Sequence, residues 1–355
     1  MTDLFAAETT PQLGIRTKTP DARAFINAGI VVSPQVAYDT GVLLIKDGRV
    51  LDVGEQVRVP DGFLTVDLQG KSIYPGFIDP FTDYDVEKTG KPKRWGAQGP
   101  QYETERIGAN SWNAAIHAEK SWAETFKPNK KESEELMKLG FTTVLTARKN
   151  GIFRGRAAVA LLGEGLPNDL LICPQVRHVG SFDKGSSTQD YPSSRMGAIA
   201  LIRQTLYDVD WYNKAHRAFT LNPNQEMPEF NAAIQVLADV VKEGIIFDGG
   251  QNRLSLFQAA RIAEEFTMPM VIVGSGYEYA RIKDVKATGA TLILPLDFPQ
   301  TPSVKTLEDQ FDVTLSQLRH RETAASNPAR LDSSKIPFAF TTHRMNDKTD
   351  FRKNL

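Results

Sequence analysis

Cysteine is nearly missing from this chain: Cys173 is the single one among 355 residues. One thiol cannot form an internal disulfide, so cysteine usage leaves the redox compartment open. Its place at the end of the apolar run Leu170-Leu-Ile-Cys173 predicts a buried, inert thiol. An excess of either charge is missing too. Lys and Arg total 42 against 43 Asp and Glu, a formal net charge of -1, which argues against a general nucleic-acid or anionic-membrane surface. No apolar run is long enough to cross a bilayer, and residues 1–20 lack the apolar core of a signal peptide. Histidine is scarce. His117, His178, His216, His320 and His343 are the five present, and none forms a His-x-His or a helix-spaced pair, so they read as isolated surface or satisfied core residues. There is no Gly-x-Ser-x-Gly elbow, and Val273-Gly-Ser-Gly276 reads as a strand-to-helix turn.

What is present is a globular composition, 41% hydrophobic and 24% charged, at a length suited to one barrel and a small appendage. Residues 1–23 read as a flexible tail. Residues 24–75 alternate short β-rich runs with turns, and Asp47-Gly48 between Val42-Leu-Leu-Ile-Lys46 and Arg49-Val-Leu-Asp-Val53 predicts a hairpin. These strands read as a small β-sandwich or half of one. Ser72-Ile-Tyr-Pro-Gly-Phe-Ile-Asp79 then reads as a buried barrel strand. A long polar stretch to residue 131 reads as an elaborated loop, with Trp95, Trp112 and Trp122, and later Trp211, expected to pack loops over the barrel. From there strands and helices alternate. Strands are expected at 140–146, 244–248, 270–273, 291–295 and 337–341, and an unbroken apolar run covers 157–162. Helices are expected at 130–139, 197–212 and 282–288, with one carrying Phe230, Ile234, Leu237 and Val241 on a single face up to Gly244, and another the stripe Leu256, Ala260, Ala263 and Phe266. That alternation implies a parallel sheet, and the number of units favours a distorted (β/α)8 TIM-type barrel over 76–355.

Several ordered matches resemble the amidohydrolase superfamily. They are Gly48-Arg49-Val50, Val53-Gly54, Asp67-Leu-Gln-Gly70-Lys71 and Tyr74-Pro75-Gly76-Phe77-Ile78-Asp79. Ala260-Arg-Ile-Ala-Glu-Glu-Phe266 with Met270-Val-Ile-Val-Gly274, and Ile336-Pro-Phe-Ala-Phe-Thr-Thr342, resemble its imidazolonepropionase-like branch. The chain is most similar to the N-terminal, degenerate unit of tandem proteins carrying two such units. The resemblance implies a hydrolase fold acting on C–N bonds, and a periplasmic or secreted location.

In that family Pro-Gly-Phe-Ile-Asp is followed by a His-x-His pair that grips a metal ion. Here those positions hold Phe81 and Asp83. The later strand-end positions hold Asp248 and Val273, and the last falls near Thr342 or His343. Phenylalanine and valine have no lone pair to offer, and two carboxylates without imidazole hold zinc weakly. The resemblance therefore implies a non-catalytic unit without a cofactor, supporting an attached or partner hydrolase. Two alternatives stand beside it: an active hydrolase with a divalent metal such as zinc on Asp83 and Asp248, or a structural or ligand-binding protein on the same fold. The partner expected is a second amidohydrolase-like unit or another copy, docking where the family's closing elements would follow residue 355. Asp79, Asp83 and Asp85 offer a further acidic cluster, either a cation site or a polar loop at the barrel mouth.

Overall fold

In the computed structural model, residues 22–86, 101–104 and 106–355 are described. Most of the expected tail, and Trp95, lie outside these residues. The chain divides into two compact units, Met1–Gly76 and Phe77–Leu355.

The first unit is one five-stranded sheet: β1 (Ala22–Ser33), β2 (Val36–Lys46), β3 (Arg49–Gly54), β4 (Leu64–Asp67) and β5 (Ser72–Ile73). Its order is β3-β2-β1-β4, with β5 also pairing β1. The Asp47-Gly48 hairpin forms as the dipeptide dictates. Both residues have positive φ, 50° and 71°, which gives a turn whose twist suits antiparallel strands and brings Lys46 opposite Arg49. Ala24, Ala28, Ile30 and Leu44 are buried in it. β1 starts at Ala22, so the tail expected to reach residue 23 gives way two residues earlier to a strand paired with β2.

The second unit contributes β6 (Phe77–Thr82), β7 (Phe141–Thr146), β8 (Phe153–Arg156), β9 (Ala158–Leu161), β10 (Leu171–Cys173), β11 (His178–Ser181), β12 (Ile245–Asp248), β13 (Met270–Val273), β14 (Thr291–Pro295) and β15 (Phe338–Thr341). The run 72–79, expected as one strand, is two: Pro75 has no N–H to give a ladder, and the chain breaks there between β5 and β6. Among the described residues the ladders form two sheets, β10-β9-β7-β6 and β15-β14-β13-β12-β11-β8. β8 and β9 are separated by Ala157 alone and act as one bent stave that passes from one sheet to the other. Gly155 (φ 87°) permits the bend, since a Cβ there would lie 2.0 Å from the Lys120 carbonyl oxygen. The bent stave runs antiparallel to both neighbours, β7 and β11, while β11 to β15 run parallel. Counted this way there are eight staves, and β15 returns to β6 through side-chain bonds to Asp79. The architecture is a distorted (β/α)8 TIM-type barrel.

Strand alternation decides what faces where. Ile245, Phe247, Ile272, Leu292 and Leu294 pack outward against helix residues such as Leu201, Leu206, Leu256 and Ile262. The residues between them point the other way: Ile246, Val273 and Ile293 share an inner cluster with Phe81 and Val179. Asp248 has the same parity as Ile246, so its carboxylate is carried to the inner face at the strand's end.

Two helix expectations change. The helix expected at 197–212 runs Arg195–Leu221, capped by Ser194, whose side chain accepts from the Gly197 N–H. The apolar stripe stops at Tyr212, but Lys214, Ala215, Arg217 and Ala218 propagate a helix without needing burial. The single helix expected to end at Gly244 is two short ones, Ala232–Val236 and Val240–Glu243. Phe230 stands outside both, because Asn231 takes the N-cap and starts the helix after it. Cys173 is half-buried, its Sγ 3.3 Å from the Gln175 carbonyl oxygen, because β10 is an outer strand of its sheet.

Candidate functional site

The inner face at the C-terminal ends of the strands is where barrel enzymes place their chemistry. Phe81, Asp83, Asp248, Val273 and His343, far apart in sequence, meet there. Asp83 follows β6 directly and receives His343 Nδ1 at 2.8 Å. His343 Nε2 lies 3.9 Å from Asp248. The Phe81 ring meets the His343 imidazole edge-on, with centroids 5.0 Å apart. Val273 closes the floor in the same apolar cluster as Phe81.

Three cations enter that space. Arg154, from β8, donates from Nη1 to Asp248 at 3.0 Å and from Nε to the Gly151 carbonyl at 3.1 Å. Arg344 donates from Nη2 to the other Asp248 oxygen at 2.5 Å and from Nη1 to the Gly274 carbonyl at 3.0 Å. Lys149 lies 3.5 Å from Asp83, with its ammonium 3.2 Å from the centre of the Phe81 ring. A guanidinium pair on one carboxylate and an ammonium held over an aromatic face are both favourable arrangements for partly desolvated cations. The side chains of Arg154, Asp248 and His343 are nearly closed to solvent (5%, 12% and 9% exposed).

The electrostatics follow from that crowding. Burial pushes the Asp83 carboxyl up, but the His343 hydrogen bond and the Lys149 charge outweigh it and hold the group well below the usual carboxylate range. Asp248 is likewise pushed up by burial and pulled further down by Arg154, Arg344, His343 and Lys149. Burial lowers Lys149 to about 8, with Asp83 and Asp248 resisting the fall. His343 is lowered by burial and by Lys149, against the pull of the two carboxylates. Two acids thus stay ionised between three cations and an imidazole.

Asp79 plays a different part from the one offered by the acidic cluster. It is completely buried and accepts from Thr342 N at 3.0 Å, Thr342 Oγ1 at 2.6 Å and Phe81 N at 3.1 Å. The Thr341 hydroxyl, with one proton to give, lies 2.6 Å from both Asp79 Oδ1 and the Phe81 carbonyl oxygen. Asp85 faces away, accepting from the Lys127 N–H at 2.7 Å. Asp79, Asp83 and Asp85 therefore do not converge, because the strand ends at Thr82 and its alternation ends with it. Among the described residues no group of three His, Cys, Asp or Glu is placed to hold a metal ion.

The other sequence candidates lie elsewhere. His178 is a core residue bonded through Nε2 to the Val236 carbonyl at 3.0 Å, and burial lowers it to about 4. His117 is lowered to about 4 by burial and by Arg106, Arg148 and Lys120. His216 packs on Tyr212, and His320 stacks on Tyr277 at 3.6 Å. The Ser275 hydroxyl is taken by Glu278 at 3.1 Å, in a turn after β13. Lys149, Arg154 and Arg344 escaped the sequence reading. Their signal is positional: each lies within or just beyond a barrel strand, where a cation has no solvent to snorkel into.

No protein-family profile and no curated protein matches the sequence. Among solved structures, an amidohydrolase from Thermotoga maritima MSB8 matches with a TM-score of 0.65 and 20% identity, covering 90% of this chain and 78% of that one. A second amidohydrolase matches with a TM-score of 0.44 and 13% identity over 94% and 82% of the two chains. A dihydroorotase matches with a TM-score of 0.36 and 13% identity over 91% and 72%. The match to the Thermotoga maritima protein, over 90% of this chain, shows that the chain has the fold of an amidohydrolase.

Proposed function

We propose that this chain is a non-catalytic amidohydrolase-fold unit that supports a C–N bond hydrolase on an attached or partner unit. One observation carries the reading: both carboxylates at the strand ends are already neutralised by Lys149, Arg154 and Arg344. A divalent ion between Asp83 and Asp248 would face an ammonium and two guanidiniums at close range, and like charges there repel strongly. Phe81 and Val273 add no lone pair. The donor set does not suit a metal ion, and no metal-activated water is derived from it. Support for a docking role comes from segment 304–318, where Val304, Leu307, Phe311, Leu315 and Leu318 are large, apolar and exposed. Exposed apolar clusters of that kind mark interaction surfaces.

The purified chain is expected to show no turnover of acyl-dipeptides or cyclic amides above that of its Asp83→Ala variant, with or without added zinc. Turnover that disappears on Asp83→Ala would contradict the reading. A tagged chain isolated from its source is expected to bring with it a polypeptide with C–N hydrolase activity. Recovery as a lone, inert chain would remove the supporting role.

A further inference from the structure

Away from the barrel mouth, a cleft of about 410 Å³ opens between the 108–112 loop, the middle of helix Arg195–Leu221 and the segment before helix Ala232–Val236. Its size falls within the range of small-molecule sites. Trp112, Trp211 and Phe230 line it, and each is left about half exposed or more (48%, 63% and 51%). The sequence reading expected the tryptophans to pack loops, but these two indoles stand open because the floor is already filled by the buried Ile116 and Tyr212. Two carboxylates, Asp208 and Glu229, line the same space, and none of its lining residues is a lysine or an arginine. Arg106 approaches through Asn110, yet its guanidinium is committed to Glu119 and the Ile116 carbonyl.

The walls are fixed. Ala232 N–H donates to the Ala109 carbonyl at 2.8 Å, which joins the two loops across the cleft. Trp112 stacks against Tyr191 with 15° between the ring planes. Its carbonyl accepts from Gln189 Nε2 at 3.2 Å. Gln204 holds the Asp208 carboxylate at 2.6 Å. A preformed site of this kind loses little to ordering when it binds.

We propose that this cleft binds a small organic cation, an alkylammonium or guanidinium group. Aromatic faces attract such cations through their quadrupoles, and the two carboxylates, which form no ion pair among the described residues, supply the charge that a neutral, stacking ligand such as a sugar would not call for. The site is independent of the barrel mouth and goes beyond the supporting role proposed above.

Calorimetric titration of the full chain tests it, with N-acetylarginine amide, its neutral citrulline counterpart, tetramethylammonium and maltose as probes. Saturable binding of the arginine derivative is expected, about tenfold tighter than citrulline, the range cation–π and charge contacts supply. Tetramethylammonium binding alongside it marks the free-cation source; binding of the arginine derivative alone marks a guanidinium, as on a peptide side chain. Trp211→Ala, and Asp208→Asn combined with Glu229→Gln, are each expected to weaken binding about tenfold or more with Tm unchanged, since these groups are largely on the surface. Equal affinity for citrulline, preference for maltose, indifference to the variants, or no binding at all would each overturn the proposal.

Discussion

Replacing Asp248 by alanine is expected to destabilise the fold by about 3–5 kcal/mol, the cost of removing one partner from a buried ion pair. Two guanidiniums depend on that carboxylate. Arg154 and Arg344 each hold one of its oxygens, and their side chains are 5% and 14% exposed. Without Asp248 both charges stay buried with carbonyls alone for partners, those of Gly151 and Gly274. Chemical denaturation of wild type and variant measures the loss. A loss below about 1 kcal/mol would mean that the pair behaves like a surface salt bridge. Pairing Asp248→Ala with Arg344→Met should recover part of the stability, because apolar replacement of a whole buried pair is often close to neutral. The same network fixes a pH dependence. Asp83 and Asp248 titrate below their ordinary values in the folded chain. Their contribution is therefore present above about pH 4, where the unfolded carboxylates ionise, and is lost as pH falls below it. In Asp248→Ala the acid limb of the stability curve should flatten.

The second large effect is expected at Asp79. Asp79→Ala removes the acceptor for Thr342 N, Thr342 Oγ1 and Phe81 N. It also unlinks β6 from β15, strands at opposite ends of the barrel sequence. A buried acceptor lost with several donors stranded should cost about 3–5 kcal/mol. For a chain of 355 residues that lowers Tm by roughly 4–7 °C, at about 1.3 °C per kcal/mol. Asp79→Asn is expected to lose less, since its carbonyl oxygen still accepts on one side, while on the other its NH2 meets a hydroxyl that can turn and a backbone N–H, of Phe81 or Thr342, that cannot. An alanine variant melting with wild type would show that the barrel closes without this clasp.

These two aspartates show which parts of the chain were legible. Asp248 was found because the amidohydrolase resemblance puts a metal ligand at the end of strand 244–248, and the continuous apolar run there marks where that strand ends. The hairpin at Asp47-Gly48 was legible for a similar local reason. Asp79 was placed in a strand but grouped with Asp83 and Asp85, because spacing alone does not reveal that the strand stops at Thr82. The bent stave β8–β9 was half missed. Its first part, Phe-Arg-Gly-Arg, precedes the apolar run 157–162 and carries two arginines, yet pairing with β11 makes it a strand. Arg154 was lost with it. Lys149 and Arg344 belong to no motif in the sequence. Only the closure of the barrel brings them over Phe81 and against Asp248, a long-range contact that no local pattern encodes.

Lys149, Arg154 and Arg344 hold the two carboxylates, Asp83 and Asp248, that a metal ion would need. Elemental analysis of the chain, purified without chelator, incubated with zinc or manganese and then gel-filtered, measures this directly. Retention below about 0.1 ion per chain is predicted for two carboxylates held by three cations beside the single imidazole of His343. One ion retained per chain, and released by Asp83→Ala or Asp248→Ala, would contradict it.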